Sequence, residues 1–384
     1  MGNNGFQNED KENIIIFIKK ELLLKNDEYD IEYEKLMGFS NNNYVITIKD
    51  KLKDRILQKY IYRKFGKISL YYDKKLEFLI IKYLYEKGLG PNILYEDKTY
   101  RISEFLFDAQ NLNLNNLFDE LIINSIIKIL NIYNSFSHIY KYEFNNNKII
   151  LKQIDNKENK ISCETTHYNN IMKNFYERAK DNFTKFENKF NKNLENNIKY
   201  HKYYKMIYNL FQEFENLYKS NIPKEGIMVL NHNDCFSLNI MIREKDKKMF
   251  LIDNEYASLN LIGYDIAYYI CESHFNYENI YNFSIPKINI NKCFNNYYMK
   301  YLNEFESLNK NYLKEYANIM DKFKETKYFI KLCLLTNLFL FIYCLSYVDY
   351  DQWINNKDKD FYFSSSIYRI NLYNFFKNEL NKIS

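Results

Sequence analysis

Two short apolar runs separated by a charged turn constrain the fold of this chain more than any other feature. The first run, 240–242, follows Asn239, and the second, 249–252, ends at Asp253. Apolar runs of this length on either side of a polar turn predict a β-hairpin. Because the strands of a hairpin are antiparallel, the second run would return Asp253 to the side of Asn239.

Asp234 precedes this hairpin, and four residues separate it from Asn239. This is the D-x-x-x-x-N spacing of phosphotransferase catalytic loops. An aspartate in that place orients the attacking hydroxyl and accepts its proton, and the side-chain oxygens of Asn239 and Asp253 suit Mg²⁺. Asp and Asn are abundant in the chain, so the spacing alone is weak evidence. The ordered series of loop, hairpin and second aspartate predicts phosphoryl transfer.

The same region resembles the choline/ethanolamine kinase family, whose pattern is H-N-D-x-x-x-x-N, then I-D-F-E-Y, then F-D-I-A-N-x-x-x-E. The matching residues are His232, Asn233, Asp234, Asn239, Ile252, Asp253, Glu255, Tyr256, Asp265, Ile266, Ala267 and Glu272. Three positions depart from the pattern, with Asn254 and Tyr264 in place of Phe and Tyr268 in place of Asn. None of these changes removes an acid, a base or a metal ligand. The asparagine before Asp234 favours this family over the aminoglycoside phosphotransferases, which usually carry glycine there.

This resemblance implies an α+β, protein-kinase-like bilobal fold, with a small N-lobe built on an antiparallel sheet and a larger, mostly helical C-lobe. It divides the chain into an amino-terminal polar segment and helix at 1–30, an N-lobe at 31–106 and a C-lobe at 107–384. The implied reaction uses ATP and Mg²⁺ to phosphorylate the hydroxyl of choline or ethanolamine. That reaction is the first step towards phosphatidylcholine or phosphatidylethanolamine.

The resemblance also assigns nucleotide-binding residues in the N-lobe. The family's phosphate-covering loop, G-G-x-S-N, matches this chain at Gly38, Ser40 and Asn41 but has Met37 in place of its first glycine. The family's L-L-R-x-Y-G strand places its phosphate-binding arginine on Arg63. Lys64, the next residue along the strand, is the second candidate.

Two further N-lobe assignments follow from the kinase pattern. Glu77 lies in a predicted helix at 74–87 and is expected to pair with Arg63 as the helix glutamate of protein kinases does. A solvated position on that helix is the alternative for Glu77. Glu104 and Leu106 fall in the segment that resembles the hinge, where backbone groups hold adenine.

The amino alcohol is expected to lie against residues of the C-lobe. Its candidate contacts are Asp234, Glu272, Tyr277, Tyr343 and Tyr362. The family has W-x-x-W in this region, whereas this chain has Leu340 and Tyr343. Tryptophan is the best ring partner for a quaternary ammonium, and a primary ammonium can also donate hydrogen bonds. The missing tryptophans therefore favour ethanolamine slightly over choline, while ordinary core packing is the alternative role for the tyrosines.

Hydrophobic patterning supplies the remaining structural expectations. Apart from that patterning, Asp265 and Glu255 match the family pattern but have no obvious place in the transfer step, so we expect them to be structural, with Asp265 accepting hydrogen bonds that brace the catalytic loop. The nearly apolar segment 332–348 predicts a buried core helix rather than a membrane span. The other predictions are disorder at 1–11, helices at 13–24 and over most of 112–218, strands at 44–48, 60–66, 93–95 and 100–102, and a polar loop at 144–160.

Composition restricts the classes of partner and compartment. A formal net charge of +5 over 384 residues, with no concentrated basic stripe, argues against nucleic acid as a partner. Six cysteines without C-x-x-C spacing predict free thiols in a reducing, cytoplasmic environment. We expect no secretory signal, no myristoylation and no stable membrane insertion, since Phe6 stands where a myristoylation signal needs Ser or Thr. Oligomeric state is left open, with a homodimer as one option.

Two alternative functions remain compatible with these patterns. The first is a kinase for another small alcohol, resembling the aminoglycoside phosphotransferases. The second is a catalytically inactive, kinase-like binding protein, which is motivated by Met37, by Asn254 and by the absence of the tryptophan pair.

Overall fold

The computed structural model divides the chain into two compact units, one comprising Met1–Tyr72 and Ile81–Asp108 and the other Asp73–Ile80 and Ala109–Ser384. The structure describes residues 8–21, 29–36, 42–53, 55–66, 74–136, 140–145, 148–153, 162–165, 168–192, 198–219, 226–275, 284–349 and 360–383. Residues 37–41, which include the predicted phosphate loop, and Tyr277 lie outside this part of the chain.

The described residues of the first unit form a five-stranded antiparallel sheet in the order β1-β2-β3-β5-β4. Its strands are β1 (Tyr29–Lys35), β2 (Asn42–Asp50), β3 (Arg55–Lys64), β4 (Ile93–Glu96) and β5 (Tyr100–Glu104). The four predicted strands are confirmed. Strand β1 was not predicted. Its sequence, YDIEYEK, alternates apolar and acidic residues, but the strand is mostly exposed and aspartate and glutamate are uncommon in strands.

Helix α1 (Asn8–Glu21) packs its apolar side against one face of this sheet. Ile14, Phe17 and Ile18 of the helix are buried, and the Phe17 ring meets that of Tyr60 edge-on, with 5.4 Å between centroids. The prediction that residues 1–11 are disordered is wrong for 8–11. Those residues are polar but belong to the helix. Asp10 is buried there, and hydrogen bonds from Tyr62 and Lys64 compensate its charge.

The second unit contains short strands and most of the helices. Its strands are β6 (Ala109–Asn111), β7 (Tyr140–Asn145), β8 (Lys148–Gln153), β9 (Ser162–Thr165), β10 (Met228–Asn231), β11 (Ile240–Arg243), β12 (Lys248–Leu251) and β13 (Ser258–Leu261). Strands β12, β11 and β6 form one antiparallel sheet, and β10 pairs with β13. The predicted hairpin is therefore present as β11 and β12.

Helices account for the rest of the second unit's regular structure. They are α2 (Lys74–Glu86, divided between the two units), α3 (Glu120–Ser135), α4 (Tyr168–Lys192), α5 (Ile198–Lys219), α6 (Tyr264–Ser273), α7 (Ile290–Lys292), α8 (Met299–Leu308), α9 (Lys310–Leu313), α10 (Ala317–Phe323), α11 (Thr326–Tyr347) and α12 (Phe361–Ile383). A π-helical turn, Cys293–Tyr298, joins α7 to α8.

Helix α11 is the central helix of the second unit, with α4, α6 and α12 packed around it. Its length and composition would suffice to cross a membrane, but 83% of its most apolar 18-residue window is buried inside the protein. The prediction of a core helix in this segment is confirmed.

The predicted polar loop at 144–160 is wrong where the structure describes it. Strands β7, β8 and β9 form an antiparallel three-stranded sheet over this region. The Asn- and Lys-rich composition concealed these strands, because both residue types are uncommon in strands.

Candidate active site

The loop after β10 is held by the first turn of α6. The Asp265 carboxylate accepts the backbone N–H of His232 at 2.8 Å and that of Asn233 at 2.9 Å. Gly263 begins the helix with φ 81°, and a Cβ there would lie 2.6 Å from the Tyr298 ring. The expected bracing role of Asp265 is confirmed by these bonds.

Asn233 itself adopts a left-handed backbone conformation, with φ 63°. Asparagine tolerates this region better than most residues. Its side-chain amide donates to Tyr256 O at 3.0 Å and Ser258 Oγ at 2.9 Å, and its oxygen accepts from Asn260 Nδ2 at 2.9 Å. A glycine would permit the same backbone turn but would lose these buried hydrogen bonds.

His232 connects the loop to the hairpin. Its Nε2–H donates to Ile252 O at 2.9 Å, and burial lowers the pKa of the imidazole to about 4. The ring is therefore neutral near pH 7, and its role here is to hold two backbone segments together.

The Asp234 carboxylate lies half-buried at the end of this loop and is engaged at both oxygens. Tyr268 OH donates to Oδ1 at 2.7 Å, and Asn239 Nδ2 donates to Oδ2 at 2.8 Å. Loss of water around the carboxylate raises the pKa of Asp234 to about 7. The negative charges of Asp253 and Glu272 act in the same direction, whereas the two donors oppose it.

The hairpin brings Asp253 beside the catalytic loop as predicted. Ile240 pairs with Leu251 in the ladder, and Ile252 N–H donates to Asn239 O at 3.0 Å. Asp253 has φ 61° and ψ 59°, a left-handed conformation. Strained backbone of this kind is concentrated at functional sites.

Asn239 and Asp253 have the donor chemistry that Mg²⁺ requires. The Asn239 amide nitrogen donates to Asp234, so its Oδ1 is the atom that would bind a cation. Among the described residues, no group of three or more His, Cys, Asp or Glu side chains could hold a metal. A sparse oxygen set fits Mg²⁺, which keeps several waters and takes phosphate oxygens, better than it fits a structural zinc site.

Glu272, predicted to contact the substrate, forms an ion pair with Arg369 of α12. Both side chains are about 95% buried, with 5% and 4% of their area exposed. The Arg369 guanidinium also lies 4.1 Å from the centroid of the Phe275 ring. The role of Glu272 in substrate binding stays a prediction, but its ion pair with Arg369 links α6 to α12.

Aromatic rings surround the predicted substrate tyrosines. Tyr343 contacts Phe175 and Tyr347, each with 5.1 Å between centroids, and Tyr347 stacks on Tyr362 at 5.1 Å and 24°. Burial raises the pKa of Tyr343, and the charge of Asp234 adds to that effect. Leu340 is buried in α11, with 8% of its area exposed.

Several residues at this site were not singled out from the sequence as functional. Tyr268 was noted only as a departure from the family pattern, although it contacts Asp234 directly. Arg178 lies over Tyr347, 4.4 Å from the ring centroid, and Arg369 holds Glu272. The change from asparagine to tyrosine at 268 was a sequence signal for the first of these residues, whereas the contacts of Arg178 and Arg369 follow only from the packing of distant segments.

The predicted nucleotide-binding residues of the first unit lie on or beside its sheet. Arg63 is half-buried in β3, with Asn43 and Arg101 as its partners across the neighbouring strands. The Glu104 backbone N–H donates to Asn92 O at 3.0 Å, and its carboxylate accepts Asn92 N–H at 3.1 Å. Leu106 is half-buried. Their nucleotide-binding roles stay predictions.

Glu77, in α2, is 4% exposed, which excludes the solvated position that was its alternative. Its negative charge acts on the imidazole of His232 and on the hydroxyl of Tyr133. Its pairing with Arg63 stays a prediction.

The chain is similar in sequence and in structure to known kinases. The family model of choline/ethanolamine kinases matches residues 35–373. The structure of a choline kinase from Cryptosporidium parvum superposes with a TM-score of 0.61 at 20% identity, covering 97% of each chain. A Plasmodium vivax ethanolamine kinase gives 0.56 at 17% identity, covering 98% of this chain and 93% of that one. These likenesses show the protein-kinase-like fold.

Curated relatives match over shorter segments. Choline kinase alpha of Mus musculus is 32% identical over 117 residues, which are 27% of this chain and 26% of that protein. A probable ethanolamine kinase of Arabidopsis thaliana is 28% identical over 204 residues, 53% of this chain and 45% of its own length. The chain thus spans less than half the length of these curated relatives. Because the family model covers most of the sequence, the chain belongs to the choline/ethanolamine kinase family.

Proposed function

We propose that this protein transfers the γ-phosphoryl group of ATP to the hydroxyl of choline or ethanolamine. The observation that carries the proposal is the Asp234 carboxylate, fixed by Tyr268 and Asn239 beside the returning Asp253. Family membership supports the same reaction class. Phosphoryl transfer needs alignment and charge neutralisation more than covalent participation. The fixed carboxylate supports the alignment of the alcohol, and the neutralisation would come from Mg²⁺ and a basic side chain.

Asp234 is the general base in this proposal. The donors on its two oxygens fix the plane of the carboxylate, so a remaining lone pair can accept the proton of a bound alcohol. A pKa near 7 suits this task, because a large share of the carboxyl groups is ionised at neutral pH and the carboxylate is still basic enough to take a proton.

Asn239 and Asp253 would hold Mg²⁺, which when bound neutralises charge on the β- and γ-phosphates of ATP. Arg63 is the proposed partner for nucleotide phosphates, together with Gly38, Ser40 and Asn41. Glu104 and Leu106 mark the proposed adenine segment. Glu77 is the proposed partner of Arg63.

The amino end of the substrate would lie between Asp234 and Tyr343, with Glu272, Tyr277 and Tyr362 as the other proposed contacts. Tyrosine hydroxyls and carboxylates can accept hydrogen bonds from a primary ammonium, which choline lacks. Leu340, where the family has tryptophan, is buried in α11. We therefore propose a modest preference for ethanolamine over choline.

A cytoplasmic location and a role at the start of phosphatidylethanolamine or phosphatidylcholine synthesis belong to the same proposal. The five cysteines whose burial the structure describes are free thiols, as a reducing compartment would allow. The thiols are Cys235, Cys271, Cys293, Cys333 and Cys344.

The decisive experiment measures phosphorylated product from ATP with choline and ethanolamine side by side, and with a panel that includes an aminoglycoside. We expect turnover of both amino alcohols, with higher kcat/KM for ethanolamine. Turnover confined to another alcohol would reassign the substrate. ATP binding without any turnover would support the inactive binding protein instead.

Asp234→Asn provides the matching test of mechanism. It should lower kcat by at least ~100-fold, the lower end for a positioned proton acceptor, while ATP binding changes little. Near-normal turnover in this variant would remove Asp234 from the mechanism. The Tm of the variant, measured in parallel, separates lost chemistry from lost folding.

A further inference from the structure

Helix α1 lies before the region that the family model matches, which begins at residue 35. Its first turn nevertheless carries Asp10, a carboxylate with only 1% of its area exposed. A buried charge persists in a fold only where partners compensate the loss of water. Asp10 has such partners on the neighbouring sheet, and these contacts compensate its burial.

Two hydrogen-bond partners of Asp10 belong to β3. Tyr62 OH donates to Asp10 Oδ1 at 2.8 Å, and Lys64 Nζ donates to the same oxygen at 2.8 Å. The position of Asp10 in the first turn of α1 adds the favourable field of a helix amino terminus. One carboxylate thus anchors the carboxyl-terminal end of β3 to α1.

These two anchoring residues flank Arg63, the proposed phosphate-binding residue. Because side chains alternate along a strand, Tyr62 and Lys64 face α1 while Arg63 projects from the opposite face. The pairing of β3 with β5 shows the same alternation. Tyr62 pairs with Ile102, and both belong to the core cluster that includes α1, whereas Arg63 pairs with Arg101. Asp10 therefore fixes the backbone on either side of Arg63 without occupying the face from which Arg63 extends.

The same contact distinguishes the two basic residues at this end of the strand. The Lys64 ammonium is committed to Asp10, and 31% of the lysine side chain remains exposed. Arg63 projects from the other face. This division of roles favours Arg63 over Lys64 as the group that meets nucleotide phosphates.

We propose that Asp10 is a positioning residue for the nucleotide-phosphate site, acting through Arg63 from a helix outside the matched family region. This inference rests on the proposed function, because it takes Arg63 as a ligand of ATP. A rotation or shift at the end of β3 would move the guanidinium, and small displacements of a positioned group have large effects.

Asp10→Asn tests this inference by keeping the shape of the side chain and removing its charge. The dissociation constant of Mg²⁺·ATP, measured by calorimetry, should rise by about tenfold, while the KM for the alcohol stays unchanged. Tyr62→Phe removes one hydrogen-bond donor to Asp10 and keeps the ring. It should also raise the dissociation constant of Mg²⁺·ATP, but by a smaller factor.

The matched control is Glu32→Gln in the same sheet. Glu32 forms an ion pair with Lys49 at 2.6 Å, but its side chain is 59% exposed and the pair lies on the surface. Exposed pairs of this kind contribute little, so ATP binding should be unaffected. Equal effects of Glu32→Gln and Asp10→Asn would overturn the inference.

A double variant shows whether Asp10 acts through Arg63. In an Arg63→Met background, Asp10→Asn should weaken ATP binding no further, because the group it positions is already absent. Additive losses in the two backgrounds, or an unchanged ATP constant in Asp10→Asn, would overturn the inference. Wild-type protein that binds ATP without turnover would defeat the proposed function alone, and wild-type protein that binds no ATP would defeat both.

Discussion

At the scale of single residues, the hydroxyl of Tyr268 is the most informative contact. It occupies a position where the family pattern has asparagine, and it donates to the oxygen of Asp234 opposite the one that Asn239 contacts. Burial alone would favour a protonated, uncharged Asp234. The two donors favour the ionised form, so Tyr268 shifts the balance towards the form that can accept a proton.

The pH dependence of kcat/KM should report this balance. Activity should be present above the pKa of Asp234, about 7, and fall as the pH drops through it, because the protonated carboxyl cannot act as a base. Tyr268→Phe removes a donor that lowers this pKa. Its acidic limb should therefore lie at higher pH than that of the wild type.

Tyr269→Phe is the matched control, since Tyr269 is the next residue of α6 and donates to Leu117 O at 2.7 Å, away from Asp234. It removes a buried tyrosine hydrogen bond without touching the carboxylate. Its acidic limb should coincide with that of the wild type. An acidic limb shared by all three proteins would show that Tyr268 does not tune the base.

Asp253 carries the second prediction at this scale. Asp253→Asn tolerates the left-handed backbone but removes the charge next to Asn239. It should lower kcat by at least ~100-fold, because Lewis-acid stabilisation by a metal is worth several kcal/mol, and it should raise the Mg²⁺ concentration needed for half-maximal rate.

Asp246→Asn provides the comparison for Asp253, because Asp246 is an acidic residue of the same hairpin. It forms its ion pair with Arg243 at the exposed turn. That variant should keep its turnover and its Mg²⁺ requirement. If Asp253→Asn also kept both, the assignment of Asp253 as a metal ligand would be wrong.

At the scale of elements, α6 connects the catalytic loop to the carboxyl-terminal helix. Its first turn holds the loop through Asp265, and its last turn holds α12 through the ion pair of Glu272 with Arg369. A buried ion pair is costly to form but still more costly to break on one side. The pair therefore specifies how α6 and α12 pack.

Arg369→Met tests this coupling, because it leaves the Glu272 carboxylate buried without its arginine. The free energy of unfolding in urea should fall by about 3–5 kcal/mol. Adding Glu272→Gln should recover part of that loss, since no buried charge then remains from the pair.

Lys377→Met is the control on the same helix. Lys377 pairs with Glu213 at 3.0 Å, but the two side chains are 47% and 34% exposed. Its loss should change stability by only about 0–1 kcal/mol. A similar small change in Arg369→Met would mean that the buried pair does not specify the packing of α6 on α12.

At the scale of the whole molecule, the features that the sequence predicts are those formed by residues close together along the chain. The hairpin and its two flanking residues were predictable, because apolar runs and a turn lie within one short stretch. The contact between Tyr268 and Asp234 spans 34 positions, and that between Arg369 and Glu272 spans 97. No periodicity reports such contacts. Strand β1 and the β7–β9 sheet were missed although β1 and β7 alternate apolar with polar residues, because their Asp, Glu, Lys and Asn residues are uncommon in strands.

The packing of α1 has a consequence for where this protein can be cut. A fragment chosen by motif matching would start near residue 35 and keep every sequence signature of the family. It would also uncover the Tyr60 and Tyr62 rings, which are 4% and 1% exposed in the intact chain, and would leave Lys64 without Asp10. Large apolar patches uncovered in this way cause aggregation. The folding unit therefore includes α1, which covers the sheet, and extends before the first residue that the family motifs match.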